Sequence, residues 1–220
     1  TGGMGVVAPN PFYTKEVETE VYERIMLPTI KGLIKEEAPF KGCIYFGLML
    51  TKQGVKVIEY NCRFGDPEAQ TVLPMLRSDL LDIMIATEEG RIDKVHVEFK
   101  DGASCCVVIA SGGYPKEYIK GYDIDFSELF GNSPKAQEEA GFETDGGVTV
   151  FHAGTTVTHE NSDSIYRTNG GRVLNVVATA DTLEDAIEKA YEAARKIKFK
   201  DMFFRNDIGA KALEEERRRK

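Results

Sequence analysis

The chain has 220 residues, 42% of them hydrophobic and 29% charged, so it can build one large domain or two small ones. Its 36 acidic and 28 basic residues give a net charge of −8, which argues against a nucleic-acid binder, because such proteins carry a basic excess. The sequence shows no signal peptide and no apolar run long enough to cross a bilayer, so we expect no membrane partner.

The glycine-rich stretch at the start of the chain precedes the first predicted helix. Residues 1–13 are predicted to be a loop, and Thr1-Gly2-Gly3-Met4-Gly5 offers backbone N–H groups that could cradle an anion. An ordinary flexible turn is the alternative. Thr14 is expected to cap a helix that runs to about Glu37, in which Pro28 should produce a kink or a split.

A hairpin is predicted over residues 43–64. The run Cys43–Leu50 is almost wholly apolar, as expected of a buried central strand, and residues 51–54 form the turn. In the second strand, side chains alternate between faces, so Glu59, Asn61 and Arg63 should share one face.

The polar face of this second strand has two interpretations. A carboxylate and an amide oxygen suit Mg²⁺, and an arginine on the same face suits a phosphate, which together indicate phosphoryl transfer. A solvated face of a half-buried sheet is the alternative.

Turns and helices should follow the hairpin. Asp66 is a candidate N-cap for a helix from Pro67 to about Leu76. Ser78 should cap a second helix, over residues 80–86, that ends before Gly90.

A domain boundary is predicted near residues 93–100, which gives domains 1–95 and 96–220. Residues 103–110 should form a buried strand, followed by a loop over 111–115 and a polar, turn-rich region over 116–147. Strands are expected at 148–157, 165–167 and 172–179, and the last two should form a hairpin. An amphipathic helix should begin at 181–185, and the charged tail 214–220 should be a solvated helix end.

Histidine and cysteine residues give weaker signals. His152 lies in an apolar strand, where a hydrogen-bonded histidine is favoured over a general base. The four cysteines (Cys43, Cys62, Cys105 and Cys106) show no C-x-x-C spacing, so neither a zinc site nor a disulfide framework is expected. A reducing cytoplasm fits this pattern.

Several ordered motifs resemble the glycinamide ribonucleotide synthetase family of the ATP-grasp superfamily. The most specific is the run from Glu59 to Glu68, E-Y-N-C-R-F-G-D-P-E. The others are residues 1–5, 45–51, 110–115, 150–155 and 168–174, in family order along the chain. The resemblance implies an α+β fold: the second half of an ATP-grasp domain, an antiparallel sheet with helices, followed by a small mixed β/α C-terminal domain.

The resemblance also implies an activity and its ligands. Family members use ATP to join glycine to 5-phosphoribosylamine through a glycyl phosphate, with Mg²⁺ or Mn²⁺. By this resemblance Glu59 and Asn61 match the metal ligands, and Arg63 lies near the acyl phosphate. Asp66 and Glu68 either orient the glycine ammonium group or act only as helix caps.

Two loops gain a role from the resemblance. Thr1, Gly2, Gly3 and Met4 are expected to be cofactor-binding residues, at the glycine and acyl-phosphate site. Asn169, Gly170, Gly171 and Arg172 form a turn on any interpretation, and in the family context we expect them to hold the ribose 5-phosphate.

The family has a further N-terminal region, and the chain opens within a glycine-rich motif. We therefore expect it to be the C-terminal half of a usually monomeric enzyme, with the missing N-terminal half as its partner. One alternative is a folded, non-catalytic fragment that binds metal or sugar phosphate weakly. Another is an ATP-grasp ligase that activates a different acid.

Overall fold

A computed structural model describes residues 3–130, 146–160 and 163–219. The described strands are β1 Gly5–Ala8, β2 Tyr45–Thr51, β3 Gly54–Asn61, β4 Ala103–Ser111, β5 Val148–His152, β6 Thr155–Glu160, β7 Asp163–Thr168, β8 Arg172–Ala180 and β9 Met202–Phe203. The described α-helices are α1 Lys15–Val21, α2 Leu27–Lys35, α3 Glu68–Val72, α4 Leu80–Glu88, α5 Ser127–Phe130, α6 Leu183–Lys196 and α7 Ala210–Arg219. Helices and antiparallel sheets thus confirm the predicted α+β class.

The chain folds into two compact units. Unit 1 comprises Thr1–Pro9, Asp66–Met75 and Asp101–Lys220, and unit 2 comprises Asn10–Gly65 and Leu76–Lys100. These units are discontinuous in sequence, whereas the predicted domains, 1–95 and 96–220, are continuous. The predicted domain division stays a prediction. Within the described residues, no helix combines the length and apolar character needed to span a membrane.

An antiparallel sheet forms the centre of unit 1. Its order is β1-β4-β8-β5, and β9 also pairs with β4. Every residue of β4 is buried, as predicted, and its side chains alternate between two hydrophobic clusters. Helix α6 packs its buried stripe on one of them, while Thr182 caps the helix by accepting a 3.1 Å hydrogen bond from the Asp185 amide.

Strand β1 corrects the prediction that residues 1–13 form a loop. Gly5–Ala8 pairs antiparallel with β4, opposite residues 104–107. Four residues give too short a pattern to reveal a strand. The partner lies about a hundred residues away in sequence, so local signals could not indicate the pairing.

The region around residues 148–179 differs from its prediction in two ways. The expected single strand over 148–157 is divided into β5 and β6, which are separated by Ala153 and Gly154. The expected hairpin of 165–167 with 172–179 is wrong, because β7 pairs with β6 while β8 pairs with β4 and β5. The segment 169–171 therefore connects two different sheets.

Unit 2 contains the predicted hairpin of β2 and β3. The register shifts between Gly47 and Leu48, so Ile58 is an extra residue in β3. The prediction that β2 is buried is wrong for the described chain, since Met49 and Leu50 are exposed. A small core of Val21, Ile25 and Val55 lies between the hairpin and the preceding helices.

The helices of unit 2 confirm one predicted cap and correct another. Thr14 caps α1 by accepting from the Val17 amide at 3.3 Å. A π-helical turn, Tyr22–Met26, separates α1 from α2, and Pro28 lies in the first turn of α2. The helical segment is therefore divided just before Pro28, but no loop interrupts it. Asp79 caps α4, whereas Ser78 instead accepts from the Glu98 amide.

Candidate active site

The end of β3 carries the two predicted metal ligands. The Asn61 Nδ2 donates to Glu59 Oε1 at 3.1 Å, so the two side chains share one face, as strand alternation predicts. This bond leaves Asn61 Oδ1 and Glu59 Oε2 without a hydrogen-bond partner among the described residues. Glu59 is exposed, so its carboxylate is accessible to a cation.

The donor set here is small for a protein-only metal site. Among the described residues, no group of three or more histidine, cysteine, aspartate or glutamate side chains could hold a metal. A carboxylate and an amide oxygen nevertheless fit a hard cation that takes its other ligands from substrate phosphates and water. The pair therefore suits Mg²⁺ or Mn²⁺ bound together with a nucleotide.

Arg63 lies beyond the end of β3, so strand alternation does not place its side chain. Its Nη1 donates to the Phe64 carbonyl at 2.7 Å. The guanidinium keeps other N–H groups for an anion. Cys62, which precedes it, is an exposed free thiol.

Asp66 is not the helix cap that the sequence suggested. Pro67 occupies the N-cap position of α3 without a side-chain hydrogen bond. The Asp66 carboxylate instead accepts from Arg172 Nη2 at 3.0 Å and from Gln70 Nε2 at 3.1 Å. Glu68 begins α3 and places a carboxylate in its first turn.

Arg172 connects three points of unit 1. Besides its ion pair with Asp66, its Nη1 donates to the Asp66 carbonyl at 2.8 Å and to the Gly3 carbonyl at 3.2 Å. The predicted phosphate residue and a predicted catalytic residue are thus brought together. Sequence reasoning missed this contact, because the two residues are 106 positions apart.

The loop 169–171 is held by contacts on one side. The Ser111 hydroxyl donates to the Gly170 carbonyl and the Ser111 amide to the Gly171 carbonyl, both at 2.8 Å. The amides of Gly170 and Gly171 donate to no acceptor among the described residues. Such amides beside a guanidinium are what a phosphate site requires.

Two other expectations concern the first residues of the chain. Thr1 and Gly2 lie outside the described residues. Gly3 has a positive φ of 71°, which favours glycine. Met4 is 1% exposed and packs in the cluster with Cys106, Val108 and Ala110, so its side chain belongs to the core and ligand contact would come from its backbone.

The buried cysteines and His152 have structural roles. Burial raises the pKa of Cys105 to about 12, and burial, with a smaller effect from the adjacent Cys105, raises the pKa of Cys106 as well. These thiols therefore stay protonated at neutral pH and are not nucleophiles. His152 Nδ1 lies 3.0 Å from Thr155 Oγ1 and its ring stacks on Tyr166, which confirms a hydrogen-bonded strand-end histidine.

Two known protein families match parts of this chain. Residues 1–69 match the phosphoribosylglycinamide synthetase ATP-grasp (A) domain, and residues 104–211 match the phosphoribosylglycinamide synthetase C domain. The fold is also similar to the biotin carboxylase subunit of pyruvate carboxylase, with a TM-score of 0.57 at 16% identity over 98% of this chain and 46% of that one. These matches place the chain in the ATP-grasp class.

Two curated relatives of higher sequence identity are both named phosphoribosylamine–glycine ligase. The phosphoribosylamine–glycine ligase of Fusobacterium nucleatum is 44% identical over 95% of this chain and 46% of that protein, and that of Clostridium acetobutylicum is 43% identical over 95% and 45%. The crystal structure of the Thermotoga maritima phosphoribosylamine–glycine ligase aligns with a TM-score of 0.70 at 31% identity, covering 94% of this chain and 46% of that one. The chain belongs to the phosphoribosylglycinamide synthetase family. It spans about half the length of the curated relatives it matches.

Proposed function

We propose that this chain is part of an ATP-dependent ligase of purine biosynthesis that joins glycine to 5-phosphoribosylamine. The products are glycinamide ribonucleotide, ADP and phosphate. The observation that carries the proposal is the 44% identity, over 95% of this chain, to a relative named phosphoribosylamine–glycine ligase. The adjacent Glu59 and Asn61 side chains agree with it.

The reaction has two steps. The glycine carboxylate attacks the γ-phosphorus of ATP, so ADP leaves and glycyl phosphate forms. The amine of phosphoribosylamine then attacks the acyl carbon, the amide forms, and phosphate and a proton are released. The protein must hold the reacting groups in line and neutralise the charge on the transferring phosphoryl group.

Glu59 and Asn61 would hold Mg²⁺ or Mn²⁺ through the oxygens that hydrogen bonding leaves free. The bound cation would supply Lewis-acid neutralisation of phosphate charge. Arg63 places a positive charge beside the acyl phosphate. This charge stabilises the transition state more than the ground state. Asp66 and Glu68 orient the glycine ammonium group.

The anion contacts come from two loops. Thr1, Gly2, Gly3 and Met4 contribute backbone N–H groups to the glycine and acyl-phosphate site. Asn169, Gly170, Gly171 and Arg172 bind the 5-phosphate, a role supported by the unpaired amides of the two glycines and the adjacent guanidinium.

We also propose a compartment, an oligomeric state and a class of partners for this enzyme. It is a cytoplasmic protein that acts as a monomer on small molecules and has no nucleic-acid or membrane partner. The free state of all four cysteines is compatible with a reducing compartment.

The test combines this chain with the N-terminal region that its relatives carry. ADP formation that requires glycine, phosphoribosylamine and Mg²⁺, and appears only in the combined sample, is the expected result. No turnover in the combined sample would instead favour a folded, non-catalytic fragment that binds metal or sugar phosphate. Turnover with another amino acid in place of glycine would point to a different ATP-grasp ligase.

A further inference from the structure

We propose that Arg172 is a positioning residue for Asp66 and that it acts during glycine activation, before phosphoribosylamine takes part. This inference rests on the proposed function. It goes beyond a phosphate contact, because it assigns most of the donors of Arg172 to the protein itself.

The hydrogen bonds of the guanidinium carry the inference. Arg172 Nη1 donates to the carbonyls of Gly3 and Asp66, and Nη2 donates to Asp66 Oδ2. Three of the five N–H groups are therefore engaged, and those left are on Nε and Nη2. Since two acceptors are backbone carbonyls, Arg172 sets the position of the main chain at residues 3 and 66 as well as that of the carboxylate.

Two neighbouring residues, Gly3 and Gln70, favour the contact between Arg172 and Asp66. A Cβ at Gly3 would lie 2.8 Å from Arg172 Nη1, so a residue larger than glycine would push the guanidinium away. Gln70 donates to the other oxygen of the Asp66 carboxylate, which is thus held from two directions. The Arg172 side chain is 26% exposed and that of Asp66 43%, so the pair is partly shielded from solvent.

Arg172 can act as an anchor because of its place in the fold. It is the first residue of β8, opposite Ala110 of the buried strand β4. A side chain carried by a packed strand fixes a contacting turn more accurately than a loop residue does. The carboxylate proposed to orient glycine therefore takes its position from the strand that follows the phosphate loop.

The positive charge of Arg172 and the planar shape of its guanidinium can be tested separately. A lysine keeps the positive charge that attracts a phosphate, but it lacks the planar fork that binds two carbonyls and a carboxylate together. If Arg172 served only the phosphate, Arg172→Lys would retain most activity, and the first reaction step would not depend on residue 172.

The first step can be measured alone in the complete enzyme, without phosphoribosylamine. Reversible transfer of the γ-phosphoryl group to glycine scrambles ¹⁸O between the bridging and non-bridging positions of the β-phosphate of ATP. We expect both Arg172→Lys and Arg172→Ala to slow this glycine-dependent exchange by roughly 10- to 100-fold, as for a misplaced substrate-orienting group. The Arg172→Ala/Asp66→Ala double variant should be no slower than Asp66→Ala alone.

Arg217→Ala is the matched control, because it removes a 2.8 Å ion pair with Glu184 elsewhere in unit 1. The exchange rate of this variant should equal that of the enzyme without substitutions. Unsubstituted rates in Arg172→Ala or Arg172→Lys, or additive effects in the double variant, would overturn the inference. No glycine-dependent exchange in the unsubstituted enzyme would count against the proposed function instead.

A second measurement uses this chain alone and needs no activity. Hydrogen–deuterium exchange of amides in segments 3–8 and 66–75 should become faster in Arg172→Ala and stay unchanged in Arg217→Ala. Unchanged exchange in Arg172→Ala would refute the positioning role whatever the enzyme's activity.

Discussion

Gly47 lies directly opposite Glu59 across the β2–β3 hairpin, and a Cβ at position 47 would be only 2.7 Å from Glu59 Cγ. Real side chains do not approach so closely, so glycine leaves the room that the Glu59 side chain occupies. The proposed metal ligand thus depends on a residue of the neighbouring strand that has no side chain.

Gly47→Ala should therefore turn the Glu59 side chain away from Asn61 while the hairpin stays folded. We expect kcat/KM of the complete enzyme to fall by about 10- to 100-fold and the Mg²⁺ concentration for half-maximal rate to rise. Gly32→Ala is the control, because its Cβ would meet nothing within 4 Å. It should keep full activity and stabilise α2 by up to about 1 kcal/mol. Equal activities in the two variants would contradict the steric argument.

Glu59→Ala and Asn61→Ala should each abolish turnover without unfolding the protein. Glu59 is exposed and Asn61 half-buried, and within the described part of the chain their side chains hydrogen-bond to each other. The free energy of unfolding should therefore change by no more than about 1 kcal/mol. Steady-state rates and urea unfolding of both variants test this. Turnover at the unsubstituted rate in either variant would remove the metal-ligand assignment.

Gly170→Ala should weaken binding of phosphoribosylamine. A Cβ at Gly170 would lie 2.8 Å from Gly154 Cα, which is backbone and cannot move aside easily. The loop must shift, so its amides lose their positions. We expect KM for phosphoribosylamine to rise about tenfold or more, while KM for ATP changes little. A similar rise in both constants would show a general distortion and not a phosphate site.

The buried thiols predict a fall in stability at alkaline pH. The pKa of Cys105 is about 12 in the folded chain against an ordinary value of 9.0, because burial disfavours the thiolate. The folded state therefore holds its proton where the unfolded state has lost it. Stability from this group is complete below pH 9.0 and decreases as the pH rises towards 12, by about 1.4 kcal/mol per unit for one thiol.

Urea unfolding of the chain at pH 7.5 and pH 10 measures this effect. The difference between the two pH values should be smaller in Cys105→Ala than in the unsubstituted chain. A Cys62→Ala control should behave as the unsubstituted chain does, because Cys62 is exposed. The same alkaline loss in all three proteins would assign it to other groups.

Local patterns were enough to predict much of the fold. The β2–β3 hairpin, the buried strand β4 and the apolar stripe of α6 follow from periodicities of two and 3.6 residues. The shared face of Glu59 and Asn61 follows from the same strand geometry. Capping was partly predictable: Thr14 was found, but Asp79 takes the place predicted for Ser78.

Distant pairings could not be predicted in this way. Strand β1 is recognised only by its contact with β4. Residues 168–171 look like a hairpin turn in the sequence, although β7 and β8 belong to different sheets. The bond between Arg172 and Asp66 spans 106 positions. The roles of Arg63 and of Glu68 stay predictions, because they depend on ligands and not on local structure.

The place of β1 at one side of β4 has a consequence for how shortened versions of the protein would behave. Residues 5–8 cover the backbone donors and acceptors of residues 104–107 of β4, on the side away from β8. A version lacking them would expose the unpaired backbone edge of a strand that is buried along its whole length, a surface on which molecules associate with one another. Residues 5–8 thus block this part of the sheet edge against pairing with another chain.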